Sequence, residues 1–183
     1  MIEEYLIGHC SPTLASLKTA NLMNIPFDTI ENLENSVFQI NEKLKNKGVE
    51  LLILKKCSNT ALVYAYRKDK LQNDLNKNKV DEFLKFYGYE SNNVDYCISK
   101  LKSRLKNSTS FPHEIGIFLG YPLGDVIGFI ENAGQNSLCS GCWKVYCNEC
   151  EAIKTFKKFE KCKKIYQKLW LQGRSIVKLT VTT

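Results

Sequence analysis

Four cysteines, Cys139, Cys142, Cys147 and Cys150, stand within twelve residues in the stretch CSGCWKVYCNEC. The spacing C-x2-C-x4-C-x2-C concentrates thiolates, the soft ligands that select Zn²⁺ or an iron–sulfur cluster. Repetition of the C-x2-C pair favours that chemistry. The gap between the pairs is shorter than the roughly 15–20 residues of a zinc ribbon. It also holds WKVY, which reads as a strand and would carry the pairs apart by about 3.3 Å per residue. The run of two-residue gaps seen in ferredoxin-type clusters is missing. These four residues are the metal-ligand candidates, with zinc or an iron–sulfur cluster as the occupant.

A second constellation begins at His9-Cys10. Ser11-Pro12 reads as an N-cap followed by proline at the first helical position. Cys10 then precedes a helix start, where unsatisfied N–H groups and the dipole stabilise a thiolate. The only other histidine is His113, followed by Glu114. Pro112 opens a short helix there, favouring Glu114 in its first turn and a neutral rather than charged His113 ring. Brought together, Cys10, His113 and Glu114 are the catalytic candidates: nucleophile or redox thiol, base and orienter. Tyr121, Trp143, Lys144 and Tyr146 group aromatic and basic side chains around a glycine turn, as a pocket for a planar ligand does. With His9 and Arg67 they are the ligand-binding candidates. Walker, dinucleotide, H-E-x-x-H and G-x-S-x-G elements are not in the chain.

Two further patterns concern partners. Residues 114–131 have the shape of a helix-turn-helix, but the second helix, LGDVIGFIEN, carries Asp125 and Glu131 and no Lys or Arg. That sign is wrong for phosphates, which disfavours a nucleic-acid-binding regulator. In AIKTFKKFEKCKKIYQKLWL, Lys154, Lys157, Lys158, Lys161, Lys164 and Lys168 fall mainly on one side of a helix. Ile153, Phe156, Phe159, Ile165, Tyr166, Leu169 and Trp170 fall mainly on the other. Such a face is either solvated or meets an acidic partner, for example an acidic redox protein.

The elements that must position these residues follow from periodicity. Helices are expected from Ser11 to about Met23 and from about Thr29 to Asn46, the second stopped by Gly48. ELLILKK and TALVYAYR read as two strands of a hairpin. Three helices follow, over about Lys68–Asn76, Val80–Tyr87 and Asn93–Lys106. Two short helices are broken at Gly120-Tyr121-Pro122. WKVYC is a short strand, a long helix runs from Glu149 to Leu171, and SIVKLTVT is a closing strand. Four strands with helices between them give an α+β fold: a small, mostly antiparallel sheet covered by helices, in a single domain over 1–183.

HCSPTLASLKTANL, ALVYAYR, FPHEIGIFLGYPLGDVIGFI, WKVY and a terminal helix with its cysteine resemble the clostridial domain of unknown function family numbered thirty-seven ninety-three. The resemblance covers nearly the whole chain and implies a protein of anaerobic Firmicutes; it supplies no reaction, cofactor or substrate. The family pattern places glycine and an aromatic just before WKVY, so the four clustered cysteines are a departure from it.

Composition bounds the rest. The 183 residues are 44% hydrophobic and 25% charged, as in an ordinary globular protein. No apolar run approaches the roughly 20 residues of a membrane span. The N-terminus, MIEEYLIGHCSPT, has acidic residues where a secretory signal carries positive charge, so a cytoplasmic location is expected. Eight cysteines are therefore expected as free thiols rather than a disulfide framework. The net charge of +7 resides almost wholly in residues 149–183, with nine Lys or Arg against three Glu. The leading expectation is an accessory protein binding a metal or small redox-related ligand near His9, Cys10, His113 and Glu114. A cysteine-dependent enzyme is the alternative.

Overall fold

In chain order the elements are α1 (Ile2–Leu14), β1 (Ala20–Pro26), α2 (Ile30–Leu44), a 3-10 turn (Lys45–Lys47), β2 (Glu50–Lys56) and β3 (Thr60–Tyr66). Then come α3 (Lys68–Leu75), α4 (Val80–Phe86), α5 (Val94–Asn107), α6 (Ile115–Phe118) and α7 (Leu123–Glu131). The hairpin β4 (Cys139–Ser140) and β5 (Lys144–Val145), α8 (Glu149–Leu171) and α9 (Ile176–Leu179) complete the chain. These come from a computed structural model, which describes residues 2–107 and 110–182. They group into two compact units, Met1–Leu71 with Lys161–Thr183, and Gln72–Glu160.

The first unit is built on an antiparallel sheet of order β1-β3-β2. β2 and β3 form the expected hairpin, and β3 is buried along most of its length as the central strand. α2 begins as its residues dictate: the Thr29 side chain accepts the Asn32 N–H, and Leu33, Val37, Ile40 and Leu44 form the buried stripe. Gly48 ends the segment with φ 69°, a left-handed conformation that glycine adopts without strain. Leu6, Leu14, Ile40, Leu51 and Val63 are among the core side chains.

The N-terminal reading is corrected. Ser11 and Pro12 lie in the last turns of α1 rather than at a helix start, and residues 20–26 form a strand. Ser11 Oγ donates to the Ile7 carbonyl at 2.5 Å, so the residue acts inside the helix and not as its cap. ANLMNIP has little strand propensity of its own. Its pairing with β3 along the full register, Ala20↔Tyr66 to Pro26↔Thr60, overrides that. The C-terminal segment is corrected too: residues 176–179 are helical, with Ile176 and Leu179 buried in the same core.

The second unit is mainly helical. Val80, Leu84, Val94, Leu101, Ile117, Phe118 and Val126 are buried within it. Its two strands form a separate hairpin, Cys139↔Val145 and Ser140↔Lys144, so the strands do not make one four-stranded sheet. The four residues of α6 precede α7, as the Gly-Tyr-Pro break predicts. No helix among the described residues is long and apolar enough to cross a membrane.

Candidate functional site

The hairpin β4–β5 is held in place by α7. Asp125, a lone carboxylate in the apolar stretch LGDVIGFI, is 2% exposed. Its Oδ2 accepts the Trp143 indole N–H at 2.7 Å. Its Oδ1 accepts the backbone N–H groups of Tyr146 (2.7 Å) and Cys147 (2.9 Å) and the Cys147 thiol (3.2 Å). A carboxylate accepting several N–H donors is a strong, geometrically specific anchor. Glycine makes the approach possible: a Cβ at Gly128 would fall 2.5 Å from the Tyr146 Cβ.

The aromatic candidates form a packed wall rather than an open pocket. Trp143 stacks on Tyr121 with centroids 4.9 Å apart and meets Phe156 edge-on at 4.6 Å. The polar ends are engaged with backbone: Tyr121 Oη donates to the Cys142 carbonyl, Tyr146 Oη to that of Gln135, and Lys144 Nζ to that of Gly134. The block FPHEIGIFLGYPLGDVIGFI and the WKVY segment are therefore two halves of one packing device.

The thiols divide by environment. Cys10, Cys97 and Cys162 are buried, and desolvation pushes them up to about 12, 11 and 11. They are inert core groups. Cys142 and Cys150 are exposed, and Cys139 and Cys147 are half-buried. Partial burial, then the Glu149 and Asp125 carboxylates, raise the Cys139 thiol. Partial burial, then Asp125, push Cys147 up to about 11. Cys147 thus hydrogen-bonds to the Asp125 carboxylate, whereas Cys139 only feels its charge. Cys139 pairs with Val145 in the two-residue ladder, and Cys147 follows two residues beyond the end of β5. The chain turns at residues 141–143, and Lys144–Val145 of WKVY run back alongside Cys139–Ser140. Cys150 sits in the first turn of α8 beside Glu149 and Glu151, acidic groups that suit the helix dipole. Among the described residues, no three His, Cys, Asp or Glu side chains are gathered closely enough to hold a metal ion.

The other candidates belong to different units. His9 and Cys10 belong to the first unit, His113 and Glu114 to the second. Cys10 lies near the C-terminal end of α1, fully buried, so the helix dipole does not favour its thiolate. His9 is exposed and stacks on Tyr5 with centroids 6.1 Å apart. His113 is exposed, its ring between those of Phe111 and Phe129. Glu114, 1% exposed, accepts from Arg104 Nε at 2.5 Å and from Tyr89 Oη at 3.2 Å. It is the buried half of a part-buried ion pair with Arg104 of α5.

Arg67, 1% exposed at the end of β3, is an architectural residue. Its guanidinium donates to the carbonyls of Thr13 and Leu14 (2.7 Å each), Val181 (2.8 Å) and Lys47 (2.9 Å). These include the orphan carbonyls at the end of α1, which carry the partial negative charge of a helix C-terminus. Sequence reasoning missed the roles of Asp125 and Arg67. A single carboxylate inside an apolar helix was the available signal for the first; nothing local marks the second.

The model of one family, described as a protein of unknown function (DUF3793), matches residues 6–180. No curated protein and no solved structure matches the chain.

Proposed function

We propose, from the premise that this chain belongs to the DUF3793 family of proteins of unknown function, that it is an accessory protein which captures one soft metal ion through the hairpin thiols. Zn²⁺ is the first occupant to test and an iron–sulfur cluster the second. What supports the reading is the repeated C-x2-C pair on and just after one hairpin, with the Cys147 thiol hydrogen-bonded to Asp125 and the charge of Asp125 acting on Cys139. Cys142 and Cys150 flank them with exposed thiols. Cys139, Cys142, Cys147 and Cys150 would hold the ion as thiolates, and Cys147 would give up its hydrogen bond to Asp125. The ligands release their protons as they bind. The buried thiols Cys10, Cys97 and Cys162 stay outside this chemistry.

The test is elemental analysis of protein purified without oxygen, followed by Co²⁺ titration monitored by thiolate-to-metal absorption. One equivalent of metal and a charge-transfer band are expected. Both should vanish in the Cys139→Ser/Cys147→Ser variant and persist in Cys57→Ser. Absence of bound metal together with a featureless Co²⁺ titration would sink the proposal.

A further inference from the structure

Six of the seven lysines of α8 fall on one face, and Lys163 falls on the other. At 100° per residue, Lys154, Lys157, Lys158, Lys161, Lys164 and Lys168 fall within an arc of about 120°. All six are exposed. The opposite side holds the buried residues Ala152, Phe159 and Cys162. From Lys154 to Lys168 the row runs about 21 Å along an uninterrupted helix. Glu151, which pairs with Lys154 at 2.7 Å, lies at its margin. By charge complementarity, an anionic counterpart is the partner such a face favours.

We propose that this row is a docking surface for an acidic protein that presents carboxylates at helical spacing. The row repeats every three or four residues, so an acidic helix laid alongside has the same pitch, about 5.4 Å, and meets several lysines at once. Other polyanions fit less well. The row contains no Arg, the residue suited to bidentate phosphate contacts. Phe156, Phe159, Tyr166 and Trp170 all lie on the other side, leaving no ring on the arc for base stacking. Ile165, 46% exposed, lies within the arc, with Ile153 (37%) and Leu171 (86%) exposed at its edge, too sparse an apolar set to anchor the helix in a bilayer. Cys150 lies on the same arc at its N-terminal end, so a partner seated on the row adjoins the thiol hairpin. The docking surface stands on the lysines alone and does not depend on metal binding.

The test uses the full chain and a fluorescein-labelled poly-L-glutamate of about 20 residues, followed by anisotropy. Binding should weaken steeply between about 0.05 and 0.3 M salt. Lys157→Glu/Lys161→Glu/Lys168→Glu should weaken it at least about tenfold. Lys45→Glu/Lys55→Glu/Lys102→Glu, equally exposed and of equal charge change, should weaken it less than about threefold. If the reversed set shifts the urea midpoint, the Lys→Gln set at the same three positions replaces it, with a loss of about threefold or more expected. Equal losses in the row and control sets would overturn the proposal, as would no loss in the Gln set. So would tighter binding of a labelled oligothymidylate, or of vesicles containing phosphatidylglycerol, than of polyglutamate.

Discussion

Asp125 gives the most demanding test of how the second unit is built. Its carboxylate accepts four donors from the hairpin while almost wholly removed from water. Asp125→Ala removes the acceptor and leaves the Trp143 indole and two backbone N–H groups without it. Hydrogen bonds to a charged group contribute about 1.5–3 kcal/mol each, but bonds sharing one carboxylate are not additive. Breaking one side of a buried charged network costs roughly 3–5 kcal/mol, and that is the expected loss. Asp125→Asn keeps an oxygen for Tyr146 N and Cys147 N and turns an amide donor toward the indole N–H. Its loss should therefore be smaller, roughly 1–3 kcal/mol. Urea unfolding in a Trp170→Phe background reads Trp143 alone, and the shift in midpoint at constant m gives the free energy. A loss below about 1 kcal/mol for Asp125→Ala would refute the reasoning, because unsatisfied buried donors cannot be that cheap. So would a larger loss for Asn than for Ala.

Arg67→Met should cost roughly 3–5 kcal/mol, since four carbonyls lose one shared donor group; Arg67→Lys should recover part of that, and thermal unfolding of both variants checks the order. Native protein treated with iodoacetamide near pH 8 should label Cys57, Cys142 and Cys150 and spare Cys10, Cys97 and Cys162 until it is unfolded. The Cys10 thiol, raised from 9.0 to about 12 by burial, also makes stability depend on pH. Below pH 9 it is protonated in both states and its contribution is fully present. Between 9 and 12 the unfolded chain alone releases the proton, so stability falls as pH rises, and Cys10→Ala should flatten that fall.

The residues themselves determined most of the local structure. Thr29 with its i, i+3/i+4 apolar stripe marks α2, Gly48 and Gly173 mark stops, and ELLILKK with TALVYAYR makes a hairpin, because each signal acts over a few neighbouring residues. The same locality explains the long terminal helix and its lysine row: periodicity alone puts six ammonium groups on one arc. Other features depended on distant partners. ANLMNIP is a strand because β3 supplies its hydrogen bonds from some forty residues away in sequence, and Ser11-Pro12 closes a helix rather than opening one. The turn at Gly141 pairs Lys144 and Val145 with Ser140 and Cys139, a contact that spacing along one extended strand does not show. Asp125 and Arg67 carry no local mark of their roles, since a buried charge is defined by the donors or carbonyls around it, and only folding brings those together.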